Sequence, residues 1–157
     1  MSELTYATMA DKIGQNLGVS DWHEITQEAV NEFSNCTGDN QWIHIDVERA
    51  RKESPFGGPV AHGYLTLSLI AGLSLDLGIV PKGTAAALNY GLDKVRYLAP
   101  VPVGSRVRLH VKLVSFDRKD TGQYLMKVEN TMEIDGGDKP ALIAESLATL
   151  VPAPGAA

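Results

Sequence analysis

The chain has 157 residues, a formal net charge of −5, 44% hydrophobic residues and 21% charged residues. That length suits one domain with a real hydrophobic core, and the composition excludes a disordered or fibrous chain. No lysine–arginine cluster offsets the negative charge, which argues against nucleic-acid binding, and the single cysteine, Cys36, excludes an intrachain disulfide and a cysteine-rich metal site.

Residues 1–12 are polar and lack a basic stretch followed by an apolar run, so no signal peptide is expected. Residues 4–17 carry apolar side chains at roughly helical spacing and predict a short helix. Residues 22–25 read as a short strand. Thr26 is a plausible N-cap with Glu28 in the first turn, and Ala29, Val30, Phe33 and Thr37 share one face of the helix that follows. Gly38 stands where a left-handed glycine would end it. Residues 39–59 are rich in polar residues, glycine and proline, with one or two helical turns over 47–52.

Residues 63–77 predict a helix whose apolar side chains point in nearly every direction, so it needs cover on most sides. This is the longest apolar stretch, but it is too short for a membrane span and is interrupted by Ser68, Ser74 and Asp76. No membrane contact and a cytoplasmic location are expected. In residues 106–114, Arg106, Arg108, His110 and Lys112 alternate with Val107, Leu109, Val111 and Leu113. Residues 124–134 alternate likewise, and both patterns predict half-buried antiparallel strands. Residues 85–97 and 141–151 are two further strands. A sheet with one wet and one dry face, wrapped around one long helix, is an α+β arrangement. No internal repeat or break appears, so residues 1–157 read as one domain, with a core of about 22–151 and a flexible tail at 152–157.

Two short segments carry candidate chemistry. Asp39 and His44 stand five residues apart just beyond the helix-ending Gly38. A turn there can bring both side chains to one point, and a carboxylate beside an imidazole orients the ring and raises its pKa. The plainer reading makes Asp39 a cap or turn residue and His44 structural. The second segment, Phe56-Gly57-Gly58-Pro59-Val60-Ala61-His62-Gly63, leads directly into the apolar helix. A helix N-terminus presents free N–H groups and a positive dipole end, and Gly63 allows a ligand carbonyl close to the backbone. An N–H near Gly63 is then an oxyanion donor; the alternative is a tight loop with glycine for geometry alone. His62 is either a third catalytic group or a residue that caps and packs the loop. His23 and His110 lie in strand patterns and read as surface or structural. Cys36 has no obvious base partner, which argues against a nucleophile.

The segment from Phe33 to His44 resembles the hydratase motif of MaoC-like dehydratases, in which an aromatic and small residues precede Gly-Asp, a few variable residues, a hydrophobic residue and His. The 56–63 segment resembles the loop into that family's central helix, and residues 95–104 resemble its basic-aromatic strand ending in a Pro-Val-Gly turn. The chain is also similar to the nodulation protein N branch. The resemblance spans roughly residues 22–151.

It implies a hot-dog fold, a homodimer or higher oligomer, and reversible hydration of trans-2-enoyl-CoA to (R)-3-hydroxyacyl-CoA, with no metal or redox cofactor. Acyl-carrier protein is the other possible carrier. Asp39 and His44 are implied as the catalytic pair and the Gly63 amide as oxyanion donor; His62, Gly58 and Trp42 are read alongside them as substrate-binding neighbours. Gln41-Trp42 departs from the Asn-Pro that the family often has, so bulky Trp42 is expected to reshape the tunnel and alter chain-length preference. A serine found in some members falls at Ala71. The competing readings are an acyl-CoA thioesterase of the same fold and a non-catalytic acyl-CoA-binding protein. A thioesterase usually places its carboxylate on or near the central helix, where this chain offers only Asp76 at the far end.

Overall fold

The computed structural model describes residues 4–156. In place of the helix expected over 4–17, the chain makes turns, one 3₁₀ turn at Ala10–Lys12, and strand β1, Asn16–Val19. Tertiary pairing decides this outcome. Gly14 N donates to Leu113 O and Leu113 N donates to Gln15 O. A helix of that length is marginal on its own, and the sheet edge competes with it.

Strand β2, His23–Glu24, precedes helix α1, Gln27–Thr37. Thr26 caps α1 as its spacing predicts, with Oγ1 accepting from Ala29 N at 3.1 Å. Gly38 ends the helix at φ 79°, and its N–H returns to Ser34 O. The chain then makes α2, Trp42–Ile45, which was not anticipated, and α3, Val47–Glu53, capped by Asp46. Helix α4 runs Gly63–Asp76, followed by β3, Thr84–Tyr97, β4, Arg106–Arg118, β5, Tyr124–Ile134, and β6, Leu142–Pro152.

The strands form one antiparallel sheet in the order β1-β4-β5-β6-β3, with β2 also pairing β4. Thus β1 and β2 share one edge of β4, pairing with residues 110–112 and 106–107 respectively. The period-two reading of β4 and β5 holds: Val107, Leu109, Val111, Leu113, Met126, Val128 and Met132 are buried. Beyond β6, Ala153 N donates to Gly83 O at 2.7 Å.

The expectation of one dry face and a well-covered helix is met only in part. Helix α4 buries Leu65, Thr66, Ile70 and Leu73, yet Tyr64 is 70% and Leu75 68% exposed. Strand β3 forms the other sheet edge, and Leu88, Tyr90 and Leu92 on it are exposed as well. A single chain has no element left to lie against these two apolar surfaces. Between them runs a cavity of about 690 Å³, lined by Leu67, Ala71 and Leu75 of α4 and by Leu88, Tyr90 and Leu92 of β3.

Candidate active site

The local chain path brings Asp39, His44 and His62 together. Gly38 turns the chain out of α1, and α2 then points His44 back inward. The loop before α4 is stitched to this turn: Val60 N donates to Ile43 O, and Ala61 N donates to Val101 O. One potential ligand or proton-transfer atom from each of Asp39, His44 and His62 lies within 4.8 Å of the others. His44 and His62 are buried, whereas Asp39 is exposed.

Hydrogen bonds assign the ring tautomers. His44 Nδ1 lies 2.6 Å from Val60 O, which can only accept. Nδ1 therefore carries the hydrogen, leaving Nε2 with its lone pair when the ring is neutral. By the same logic His62 Nε2–H donates to Asp39 O at 2.9 Å. The two imidazoles stack with centroids 3.9 Å apart. Burial pushes the His44 pKa down, and nearby His62 adds to that; the Val60 hydrogen bond and the Asp39 charge oppose it without prevailing. The Asp39 contribution has the expected sign, but the net shift runs the other way. Loss of water around the ring outweighs a partner that is itself solvated.

The donor set of one carboxylate and two imidazoles is chemically able to hold a divalent metal. One nitrogen of each ring is already committed to a main-chain carbonyl, which leaves His44 Nε2, His62 Nδ1 and the Asp39 carboxylate. His62 Nδ1 is fully buried. The arrangement suits proton transfer at His44 Nε2 beside the Asp39 carboxylate.

At the start of α4, the N–H groups of Gly63 and Tyr64 donate to no protein acceptor among the described residues. They are the free donors that a helix N-terminus offers to developing negative charge. Gly63 is crowded by a neighbour that was not anticipated. A Cβ there would lie 3.1 Å from Tyr97 Cε1, so the space is filled by the Tyr97 ring rather than left for a ligand. Burial and the neighbouring Tyr64 push the Tyr97 phenol up, keeping it neutral.

The remaining expected residues lie farther from this cluster. Gly58 sits in the loop before α4, with open space where a Cβ would project. Trp42 opens α2, and the Arg49 guanidinium stacks on its ring at 4.3 Å; Trp42 is not part of the cavity wall. Ala71 does line that wall. His110 is bonded to Glu133 on the sheet, and Cys36 and His23 are exposed. Sequence reading missed Tyr97, Ser34 and the Val60 carbonyl. Ser34 was legible in principle as a polar residue on the buried side of α1, next to Phe33. Nothing in the spacing identifies a main-chain carbonyl as a partner.

The family model described as "MaoC like domain" matches residues 8–135. The chain belongs to the MaoC-like dehydratase family. This MaoC-like chain is 48% identical over 145 residues to 3-hydroxyacyl-thioester dehydratase Z of Mycobacterium tuberculosis (strain ATCC 25618 / H37Rv), covering 92% of this chain and 95% of that protein. It is 41% identical over 144 residues to nodulation protein N of Rhizobium leguminosarum bv. viciae, covering 92% and 89%. Among solved structures, the monoamine oxidase regulatory protein from Archaeoglobus fulgius matches with a TM-score of 0.78 at 22% identity over 94% of each chain. The (R)-hydratase from A. caviae matches with a TM-score of 0.70 at 23% identity, covering 87% of this chain and 94% of that one. The MaoC-like chain has the hot-dog fold, with the sheet wrapped around α4.

Proposed function

We propose that this chain is an (R)-specific enoyl-CoA hydratase, adding water reversibly to a trans-2-enoyl thioester to give the (R)-3-hydroxyacyl thioester, with no metal or redox cofactor. The observation that carries this reading is the approach of Asp39 and His44 to within 4.8 Å, beside a helix start whose first N–H groups are free. The name of the Mycobacterium tuberculosis relative, a 3-hydroxyacyl-thioester dehydratase, supports the same chemistry.

In this reading the thioester carbonyl accepts from the Gly63 N–H, polarising the conjugated double bond. A water held by the Asp39 carboxylate gives its proton to His44 Nε2 as its oxygen attacks C3. Charge then accumulates on the thioester oxygen as the enolate forms, where a preorganised N–H is often worth ~10²–10³-fold. The His44 imidazolium, stabilised by Asp39, returns the proton to C2. One group that both takes and returns the proton delivers it to the face from which water came.

The acyl chain lies along α4 in the apolar cavity, which opens one turn beyond Gly63. A second copy, joined through the open β3 edge and the bare face of α4, closes the site. An acyl-CoA thioesterase is disfavoured because Asp76, the only acid of α4, stands at the opposite end of that helix from Gly63.

The direct test follows loss of enoyl absorbance with a panel of trans-2-enoyl-CoAs, with chiral analysis of the product and a free-thiol assay run in parallel. Hydration to the (R) product without thiol release is expected. Absorbance loss that merely tracks thiol release would replace the reading with hydrolysis. Gly63→Ala is expected to lower kcat about tenfold or more with little change in thermal stability. The added methyl displaces the Tyr97 ring and the donor amide by a few tenths of an ångström, and small misplacements are costly to rate. Wild-type turnover in that variant would remove Gly63 from the oxyanion role.

A further inference from the structure

We propose that His62 is the positioning residue of this site, fixing the catalytic turn, the His44 ring and the start of α4 to one another through a single side chain and its own carbonyl. The inference rests on the hydratase reading for its kinetic consequences, but its geometry stands apart from the reaction.

Three contacts carry it. First, His62 Nε2–H donates to Asp39 O at 2.9 Å. The Ser34 hydroxyl also reaches Asp39 O, at 2.8 Å, but it lies 2.7 Å from Asn40 Oδ1 as well. One hydroxyl hydrogen divided between two acceptors holds neither firmly, so His62 supplies the undivided donor to the Asp39 main chain. Asp39 is otherwise exposed, in the turn between the end of α1 and the short α2. Second, the His62 ring stacks on His44 at 3.9 Å and packs against Phe33 at 5.2 Å, which limits rotation of the His44 ring about its Val60 bond. Third, His62 O accepts from Leu65 N and Thr66 N, so the residue also forms the first turn of the helix that presents the Gly63 amide.

The remaining nitrogen explains why histidine suits this place. His62 is 2% exposed, and its Nδ1 is buried with no hydrogen-bond partner. Donation from Nε2 to a carbonyl leaves Nδ1 as the lone-pair nitrogen, which tolerates dry surroundings better than an unpaired N–H. The ring therefore serves as a flat donor whose second nitrogen faces the dry side. It does not line the apolar cavity, and its contacts run to Asp39 and His44, through which its effect passes.

The test compares His62→Phe, which keeps a ring but loses the donor, with His62→Gln, which keeps an N–H at comparable reach but loses the stack. His62→Phe is expected to lower kcat by about 10–100-fold with KM for crotonyl-CoA changed less than about threefold, and His62→Gln is expected to recover part of that loss. In the wild-type protein, ¹⁵N shifts should report the hydrogen on Nε2 of His62 and on Nδ1 of His44. That last measurement needs no variant to fold. Kinetic constants within twofold of wild type in both variants, or the Nδ1–H tautomer at His62, would each overturn the proposal. A wild-type protein inert toward enoyl thioesters would remove the reaction assigned above, while the tautomer reading still decides the role of His62.

Discussion

Replacing His44 with alanine is expected to lower kcat/KM for trans-2-enoyl-CoA hydration by about 10²–10⁴-fold, the usual range for losing a positioned acid–base group. Asp39→Asn is expected to have an effect of the same order, because water orientation and support of the imidazolium are both lost. Circular dichroism should show both variants folded. Asp39 is exposed, and its side chain makes only a long 3.4 Å contact to Gln41 N. His44 does bond Val60 O, so His44→Ala gives up a buried hydrogen bond worth about 0.5–1.5 kcal/mol, which a folded domain can lose.

The pH profile separates the two roles. His44 must be neutral to accept a proton, and burial holds its pKa below the usual histidine value. Activity should therefore persist below that value and fall only as pH drops through the lowered pKa. Asp39 pulls the His44 pKa upward. Asp39→Asn should then move the acid limb of kcat/KM to still lower pH, on a much reduced maximum. A limb that moves upward, or turnover near wild type in either variant, would contradict the assignment.

The second large effect concerns assembly. Leu75→Glu combined with Tyr90→Lys is expected to leave the protein monomeric in sedimentation and to cut hydration roughly 100-fold. These residues are 68% and 69% exposed within one chain and belong to the apolar surfaces that face each other across the cavity. Placing charges there makes burial against a second copy unfavourable. The loss of rate has two sources: charges enter the wall assigned to the acyl chain, and Asp39 and Gly63 stay exposed in the lone chain, where a hydrogen bond to developing charge is worth far less than where water is excluded. A monomeric double variant that retained full activity would show that one chain completes its own site.

Much of this was legible in the residues. Thr26 and Gly38 carry fixed backbone demands, so the ends of α1 follow from local chemistry. The alternation in β4 and β5 follows from one face being buried. The neighbourhood of Asp39, His44 and His62 was legible through the hydratase motif and through the helix stop that precedes it. Other features depend on distant parts of the chain. Residues 16–19 pair with β4 although their spacing suits a helix, since no local rule knows that an edge is vacant. Trp42 was expected at the tunnel, yet its ring lies against Arg49, seven residues later on α3. The direction of the His44 pKa shift was misread because burial cannot be seen in a five-residue spacing. The exposed face of α4 looked like core because apolar residues left on a surface have the same composition as those buried within the chain.

The arrangement of β1 and β2 has a consequence for how many chains can join. Laid end to end along β4, these two short segments blunt one side of the sheet, while β3 leaves the opposite side open. Growth by strand addition through β3 alone uses the same surface on both molecules, so it terminates at a closed pair. Cutting away the first 25 residues would bare the 13-residue strand β4. Each truncated molecule would then have two different sticky sides, the condition for open-ended filaments rather than a discrete particle.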